Sequence, residues 1–417
     1  MTHYSGQFKF YHNTRFIRYS FVILYVVSNI YACITMRDSG VYIGDYIGIP
    51  IEKSSPLFLL LFFTLLAYLF ICGPLYSILV RLKSSYKGLT HEQKYSKAGN
   101  LILVIQLAYF IFNIVTGSNA AGGDPKAGGW IRFLWFIIPV DYIFYIYYVM
   151  ARGGNRAKTY KLNVVIFIIS QLSRGWLGWI LIVTYIELCF MFANSRFKIR
   201  CWHLLFSLFL VLALPVLFYL KVALRELLSE QNMHNVFYVI SHIDLALAYS
   251  YFIDGLFSRL QQLSNVVFIY EHAAQIKNSI AINEVANFYW EGLFQQTIAK
   301  MIGVYPGEDM HLFLYSNYIS DSTTTLQTGF ISWFFLDDLF GTMYVTYVLF
   351  LMITAVYLSK KLGGERLCSL TWFFVFLYLL CGWFNAFLVY IQSLITVFIF
   401  LRLSSKLRTS PGNLMSK

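Results

Sequence analysis

Charge is scarce in this chain. Only 12% of its 417 residues are Asp, Glu, Lys or Arg, about half of the roughly 25% carried by soluble domains. A chain so poor in charge cannot cover itself with a water-facing surface, so an ordinary soluble enzyme is excluded. Cysteine is also sparse and badly placed for cross-links. Cys33, Cys72, Cys189, Cys201, Cys368 and Cys381 lie in apolar runs or at one basic loop edge, and no CxxC occurs. That speaks against a disulfide framework and against a structural zinc site. Several signatures of group transfer are missing too: no GxxxxGK[ST], no GxGxxG, no HExxH, no GxSxG and no DxD. ATP-driven transport and metal-dependent use of nucleotide sugars are therefore disfavoured, and neither a metal nor another cofactor is expected.

What is abundant is apolar surface. Hydrophobic residues make up 58% of the chain, aromatic residues 19%, and the mean hydropathy is +0.62. A bilayer is the natural solvent for such a composition, with Tyr and Trp expected at its interfaces and Phe on lipid-facing surfaces. The first apolar run is long and no small-residue cleavage signal follows it, so it is expected to remain as an anchor. A spanning helix needs about 20 apolar residues. Ile17–Met36, Pro56–Val80, Ala98–Val115, Ile131–Met150, His203–Lys221, Leu339–Leu358 and Leu367–Phe384 qualify.

The net charge of +12 reads as topology rather than as nucleic-acid binding. Of 32 Lys and Arg residues, 22 fall in the tails and in short segments at 81–97, 152–161, 196–200 and 360–366. The positive-inside rule puts these on one side, the cytoplasm. The stretch between the second and third clusters must then cross twice, yet it is about 32 residues long where two full spans need about 40. This predicts a shortened hairpin: Leu162–Leu172 outward, a turn at Ser173-Arg174-Gly175, and Trp176–Ala193 back. A second tight hairpin joins Leu367–Phe384 to Ala386–Leu401 near Asn385. The expectation is an all-α polytopic helical bundle of about ten spans with both termini cytoplasmic. It divides into an N-terminal membrane bundle over 1–221 (about seven spans), one large helical outer loop over 222–335, and C-terminal membrane helices over 336–417 (about three spans).

The outer loop holds 10 of the 20 acidic residues. Within it, Val236–Phe257 reads as an amphipathic helix on the membrane surface, because His242, Asp244 and Asp254 are costly in lipid. Glu284–Ile302 reads as a second helix, and Tyr305–Gly329 as irregular. Outside the cytoplasmic set, cations are few. Arg174 falls at membrane depth, Lys221 and Arg225 share a helix face, and Arg259 follows Asp254 by five. An arginine fork grips phosphate oxygens in pairs, so this set suits a lipid-linked diphosphate at the membrane boundary. The competing reading is snorkelling for Arg174, surface ion pairing for Arg225 and Arg259, and anchoring for Lys221. For proton transfer the outer segment offers His311 and Asp254 first, then His234, His242, His272, Glu271, Glu284, Glu291, Glu308, Asp309, Asp337 and Asp338. For Glu308 and Asp309, as for Asp321, a turn or cap role is the favoured reading. Asp141 and Glu187 fall mid-span and are expected to bond inside the bundle.

With its Ser173-Arg174-Gly175 hairpin, its late arginine-bearing outer loop and the glycines of Thr328-Gly329-Phe330 and Phe340-Gly341, the chain resembles the O-antigen polymerases. These are oligosaccharide repeat-unit polymerases of the GT-C type in the bacterial inner membrane. The resemblance implies transfer of a glycan from undecaprenyl diphosphate to a second lipid-linked repeat unit, with a chain-length regulator and a flippase as accompanying proteins. It implies that Arg174, Arg225 and Arg259 stabilise the leaving diphosphate and that His311 or Asp254 acts as base. An O-antigen ligase would use the same donor, and a flippase or transporter of lipid-linked sugars is the non-enzymatic alternative. The charge asymmetry has a direct test. A cysteine replacing Ile280 is expected to react with an impermeant thiol reagent in cells whose periplasm has been opened, and one replacing Asn155 to stay silent.

Overall fold

The computed structural model describes residues 8–52, 56–81, 92–117, 129–152, 158–193, 260–319, 327–337 and 341–406, with a few isolated positions between 212 and 257 and at 339. Among the described residues the secondary structure is helical, and the β-type pairing consists of two isolated bridges. The span expected at His203–Lys221 and the helix expected at Val236–Phe257 lie outside the described residues, apart from isolated positions.

Six described helices are long and apolar enough to cross a membrane: Arg15–Ser39, Leu57–Arg81, Ala98–Thr116, Ile131–Ala151, Thr342–Leu379 and Phe384–Arg402. This is a membrane protein. In chain order the elements needed below are α1 (Arg15–Ser39), α2 (Leu57–Arg81), α3 (Glu92–Thr116), α4 (Val140–Ala151), α5 (Lys158–Ser173) and α6 (Gly178–Ala193). They are followed by α7 (Leu263–Glu271), α8 (Ala273–Ala281), α9 (Leu293–Met301), α10 (Met310–Tyr318), α11 (Ser332–Leu336), α12 (Thr342–Phe374) and α13 (Phe384–Lys406).

The helix breaks follow from particular residues. Pro139 lacks a backbone donor and ends the first part of the Ile131–Ala151 segment, so that Val140 starts α4 afresh. Gly175, at φ +68°, closes the turn between α5 and α6. Gly364, at φ 63° and ψ −147°, interrupts α12 in a region that side-chain-bearing residues avoid. Twelve residues of continuous helix rise about 18 Å. Yet Ser359 Oγ lies 2.6 Å from Thr371 Oγ1 across this break, so the two arms of α12 fold back on each other. A loop is expected at 360–366 from its charges; the chain instead reverses at one glycine. The last turn falls at Gly382, φ +80°, three residues before the expected Asn385.

Aromatic residues are not confined to interfaces and lipid. Tyr25, Tyr68, Tyr76, Tyr185, Tyr390 and Trp372 are fully buried. Several supply donors where helices are irregular. Tyr68 Oη donates to the Leu380 carbonyl (2.8 Å) just after a π-turn, and Trp372 Nε1 donates to Cys72 O (2.9 Å) inside another that contains Pro74. Carbonyls released from a helix ladder in an apolar interior need such partners.

Residues 261–319 and 327–337 form a helical module at one end of the bundle. Its keystone is α7, buried on every side from Leu263 to Ile269. Asn29 of α1 accepts from both Gln262 N (2.9 Å) and Leu263 N (3.0 Å), meeting donors at the α7 N-terminus. At the other end of α7, Glu271 accepts from Tyr42 Oη (2.6 Å) and Glu52 N (3.2 Å). The expected helix over Glu284–Ile302 is split. Asn283 takes φ 60°, Val285 pairs with Glu308, and helix resumes only at Leu293. The segment expected to be irregular contains α10. Because Asn29 is completely buried, Asn29→Ala is expected to destabilise the module by about 1–3 kcal/mol. Limited proteolysis of the detergent-solubilised protein checks it.

Candidate functional site

Two clusters carry the polar chemistry of the described residues. The first is at the α5–α6 turn. Arg174 is 4% exposed. Its Nη2 and Nη1 meet Asp141 Oδ1 and Oδ2 at 2.7 and 3.0 Å, Nη1 also reaches Tyr109 Oη (3.1 Å), and Nε donates to Ser170 O (3.1 Å). Gln171 Nε2 adds 2.8 Å to Asp141 Oδ1. The fork that the sequence offers to a phosphate is thus occupied by a carboxylate of α4. Glu187 is engaged in the same way by Arg152 (2.7 and 2.8 Å) and Tyr148 (2.5 Å). Both mid-span acids therefore bond inside the bundle.

The second cluster is a cleft of about 660 Å³ in the module, between α9, α10 and the segment joining α8 to them. Gln296 and Lys300 of α9 line one wall, Asp309, Leu312, Phe313 and Asn317 another, and Asn283, Glu284, Tyr305 and Glu308 the rim. Gly307 makes the join possible. It sits at φ +87°, and a Cβ there would lie 2.7 Å from the Val285 carbonyl carbon. Asp309 occupies the N-cap position of α10 but makes no cap bond. Its carboxylate accepts instead from Gln296 Nε2. Glu291, buried, accepts from the Met310 backbone N–H and so takes over the capping role. Burial raises the Asp309 pKa to about 6, with Glu308 raising it further and Gln296 and Lys300 opposing. Burial, then the charge of Asp309, raises Glu291 well above the carboxylate range. Burial thus pushes both carboxyls toward the neutral form, and displaced carboxyls of this kind mark candidates for proton transfer.

Of the expected site residues, Lys221, Arg225, Asp254 and Arg259 lie outside the described residues, as do His234, His242, Asp321 and Asp338. Arg174 is described and ion-paired. His311 is half-buried in the first turn of α10, and burial lowers its pKa, favouring the neutral ring. It is not part of the cleft wall; Asp309, two residues earlier, is. Asp309 reads from sequence as a cap because the substitute cap, Glu291, is 18 residues away. Among the described residues no three His, Cys, Asp or Glu side chains converge as a metal site. No family model matches the chain, and neither a curated protein nor a solved structure matches it.

The Arg174 pair separates a structural from a catalytic role. Asp141→Ala strands a buried guanidinium and is expected to cost about 3–5 kcal/mol. The apolar double replacement Asp141→Leu/Arg174→Met should recover most of that loss in a thermal-unfolding assay. Activity of the refolded double variant then reports whether Arg174 does more than hold α4 to the turn.

Proposed function

We propose that the chain is an oligosaccharide repeat-unit polymerase of the O-antigen polymerase kind. In this reading it is a GT-C-like bundle of ten spans in the bacterial inner membrane, with both termini cytoplasmic and the helical module in the periplasm. The observation that carries the reading is Asp309. It is a carboxyl held near pKa 6 in a cleft whose other walls offer amides and an aromatic ring, the groups that bind sugar hydroxyls and faces.

The cleft carries three carboxylates, Glu284, Glu308 and Asp309, against one cation, Lys300. That balance suits the acceptor glycan, not a diphosphate. The ionised Asp309 takes the proton of the acceptor hydroxyl as its oxygen bonds to the anomeric carbon of the donor. The bond from that carbon to the phosphate oxygen breaks, and the diphosphate leaves on its lipid. Charge grows on the departing group, so fixed cations there stabilise the transition state more than the ground state. Lys221, Arg225 and Arg259 are the proposed cations. Arg174 is assigned a positioning role, since Asp141 already holds its charge. A ligase would share all of this except the acceptor. In a deletion strain, lipid A-core with a single repeat unit marks a missing polymerase, and bare core a missing ligase.

A base acts only when ionised, so activity is expected to rise with pH through about 6 and then level off. Asp309→Asn should lower turnover by ~10²–10⁴-fold and remove that rise. Stability should move the other way. The folded pKa lies above the ordinary value of 3.8, so the stability linked to the neutral acid is complete below 3.8 and lost as pH climbs through about 6. Asp309→Asn is therefore expected to raise the unfolding midpoint at pH 8, and to give no gain below pH 4. Normal polymer length and amount in a deletion strain complemented with Asp309→Asn would overturn the assignment.

A further inference from the structure

Helix α9 presents three distinct faces. At 100° per residue, Gln295 and Ala299 share one, Gln296 and Lys300 the next, and Ile298, Met301 and Ile302 a third, opposite the second. Ala299 is fully buried, and Gln295 Nε2 reaches Tyr347 Oη of α12 (3.5 Å). Gln296 and Lys300 face the cleft. The third face is bare: Met301 is 80% exposed, Ile302 65% and Ile298 41%, with Val304 at 42% just beyond the helix. Large apolar side chains this exposed, in a row, mark a contact surface.

The neighbouring span indicates what covers that face. Tyr347 lies one and a half turns inside the module end of α12. Met343 and Phe350, four residues before it and three after, share its face and are 53% and 63% exposed. That face of α12 belongs to a candidate spanning segment and so meets lipid. The Gln295–Tyr347 contact therefore places α9 beside the end of the span rather than above it.

We propose that the ridge from Ile298 to Val304 is an interfacial anchor, seated in the bilayer leaflet on the module's side of the bundle. An amphipathic helix in this position buries its apolar face at the acyl boundary and turns its polar face to water. For α9 the polar face is the cleft wall. The cleft floor is then raised by about one helix diameter, roughly 10 Å, above the acyl boundary. A lipid headgroup reaches that height; the lipid tail does not. Lys300 sits at the level of the phosphates. The anchor thus sets the cleft to receive the sugar portion of a lipid whose tail stays in the membrane. The seating itself does not depend on the transferase reading, though the choice of ligand does.

The test needs no turnover. In nanodiscs of mixed neutral and anionic phospholipid, a spin label at position 302 is compared with one at Asn317 on the cleft wall. The native cysteines are replaced beforehand. Seating in the leaflet predicts that 302 is open to oxygen and several-fold less open to a water-soluble nickel chelate than 317. Equal nickel access at both positions would overturn the anchor, and so would shielding of 302 from both reagents, which would mean a protein cover. In the cysteine-containing chain, a photo-crosslinking residue at 302 is expected to capture phospholipid; an adduct with a second copy or another protein would count against it. Lipid seating with a fully active Asp309→Asn variant would leave the anchor standing while the transferase proposal failed.

Discussion

An ionised group enters the apolar interior of this bundle at a prohibitive cost unless an opposite charge or several hydrogen-bond partners meet it there. Asp141 and Arg174 are such a pair, and the local architecture follows from their meeting. Pro139 restarts a helix so that Asp141 falls in its first turn. The hairpin of α5 and α6 carries Arg174 at its tip against α4. Tyr109 and Ser170 then take further guanidinium hydrogens. Arg152 and Glu187, both only half-buried, make a similar pair near the opposite end of the same hairpin. Buried pairs of this kind contribute little net stability against apolar replacements, but losing one partner is severe. Their effect is to fix which helix faces which.

The module at the end of the bundle obeys a related rule for backbone groups. A helix buried on all sides, as α7 is, leaves its terminal N–H groups with no water. Asn29, carried up by a span, accepts from two of them. Tyr42 and Glu52 bring the first short loop onto the far end of the same helix through Glu271. The module is therefore mounted on the membrane helices through hydrogen bonds at both ends of α7. A carboxyl with a displaced pKa can persist there because its surroundings are held independently of it.

Much of the fold is legible in the sequence wherever charge and length constrain it together. The basic clusters bracketing 162–193 leave room for a shortened hairpin, and α5 and α6 occur there with their turn at Arg174 and Gly175. Hydropathy marks the long helices. The reversal at Gly364 is legible only in part. Lys360, Lys361 and Arg366 call for a turn, but nothing local says that a single glycine suffices. The split of Glu284–Ile302 is not legible, since it depends on Val285 pairing with Glu308 across 23 residues. The pairing of Arg174 with Asp141 is hidden for the same reason: sequence places both at depth without saying that they face one another.

The site shows this limit most clearly. A carboxylate in the position of Asp309, before an apolar helix, reads as a cap, and local propensity supports that reading. It fails because a cap is a role that any nearby acceptor can fill. Glu291 fills it from another element, which frees Asp309 to turn toward Gln296 and the cleft. Once freed, Asp309 sits where burial outweighs the Gln296 hydrogen bond and the Lys300 charge, and its proton is held more tightly than the local sequence implies. The exchange has a functional consequence. A capping aspartate is tied to its helix and loses basicity; one relieved of the cap keeps a lone pair available at a pKa close to physiological pH. Glu291 and Asp309 are therefore best understood as one device, in which the buried partner's acceptance of the α10 N-terminus is what makes the other available for chemistry.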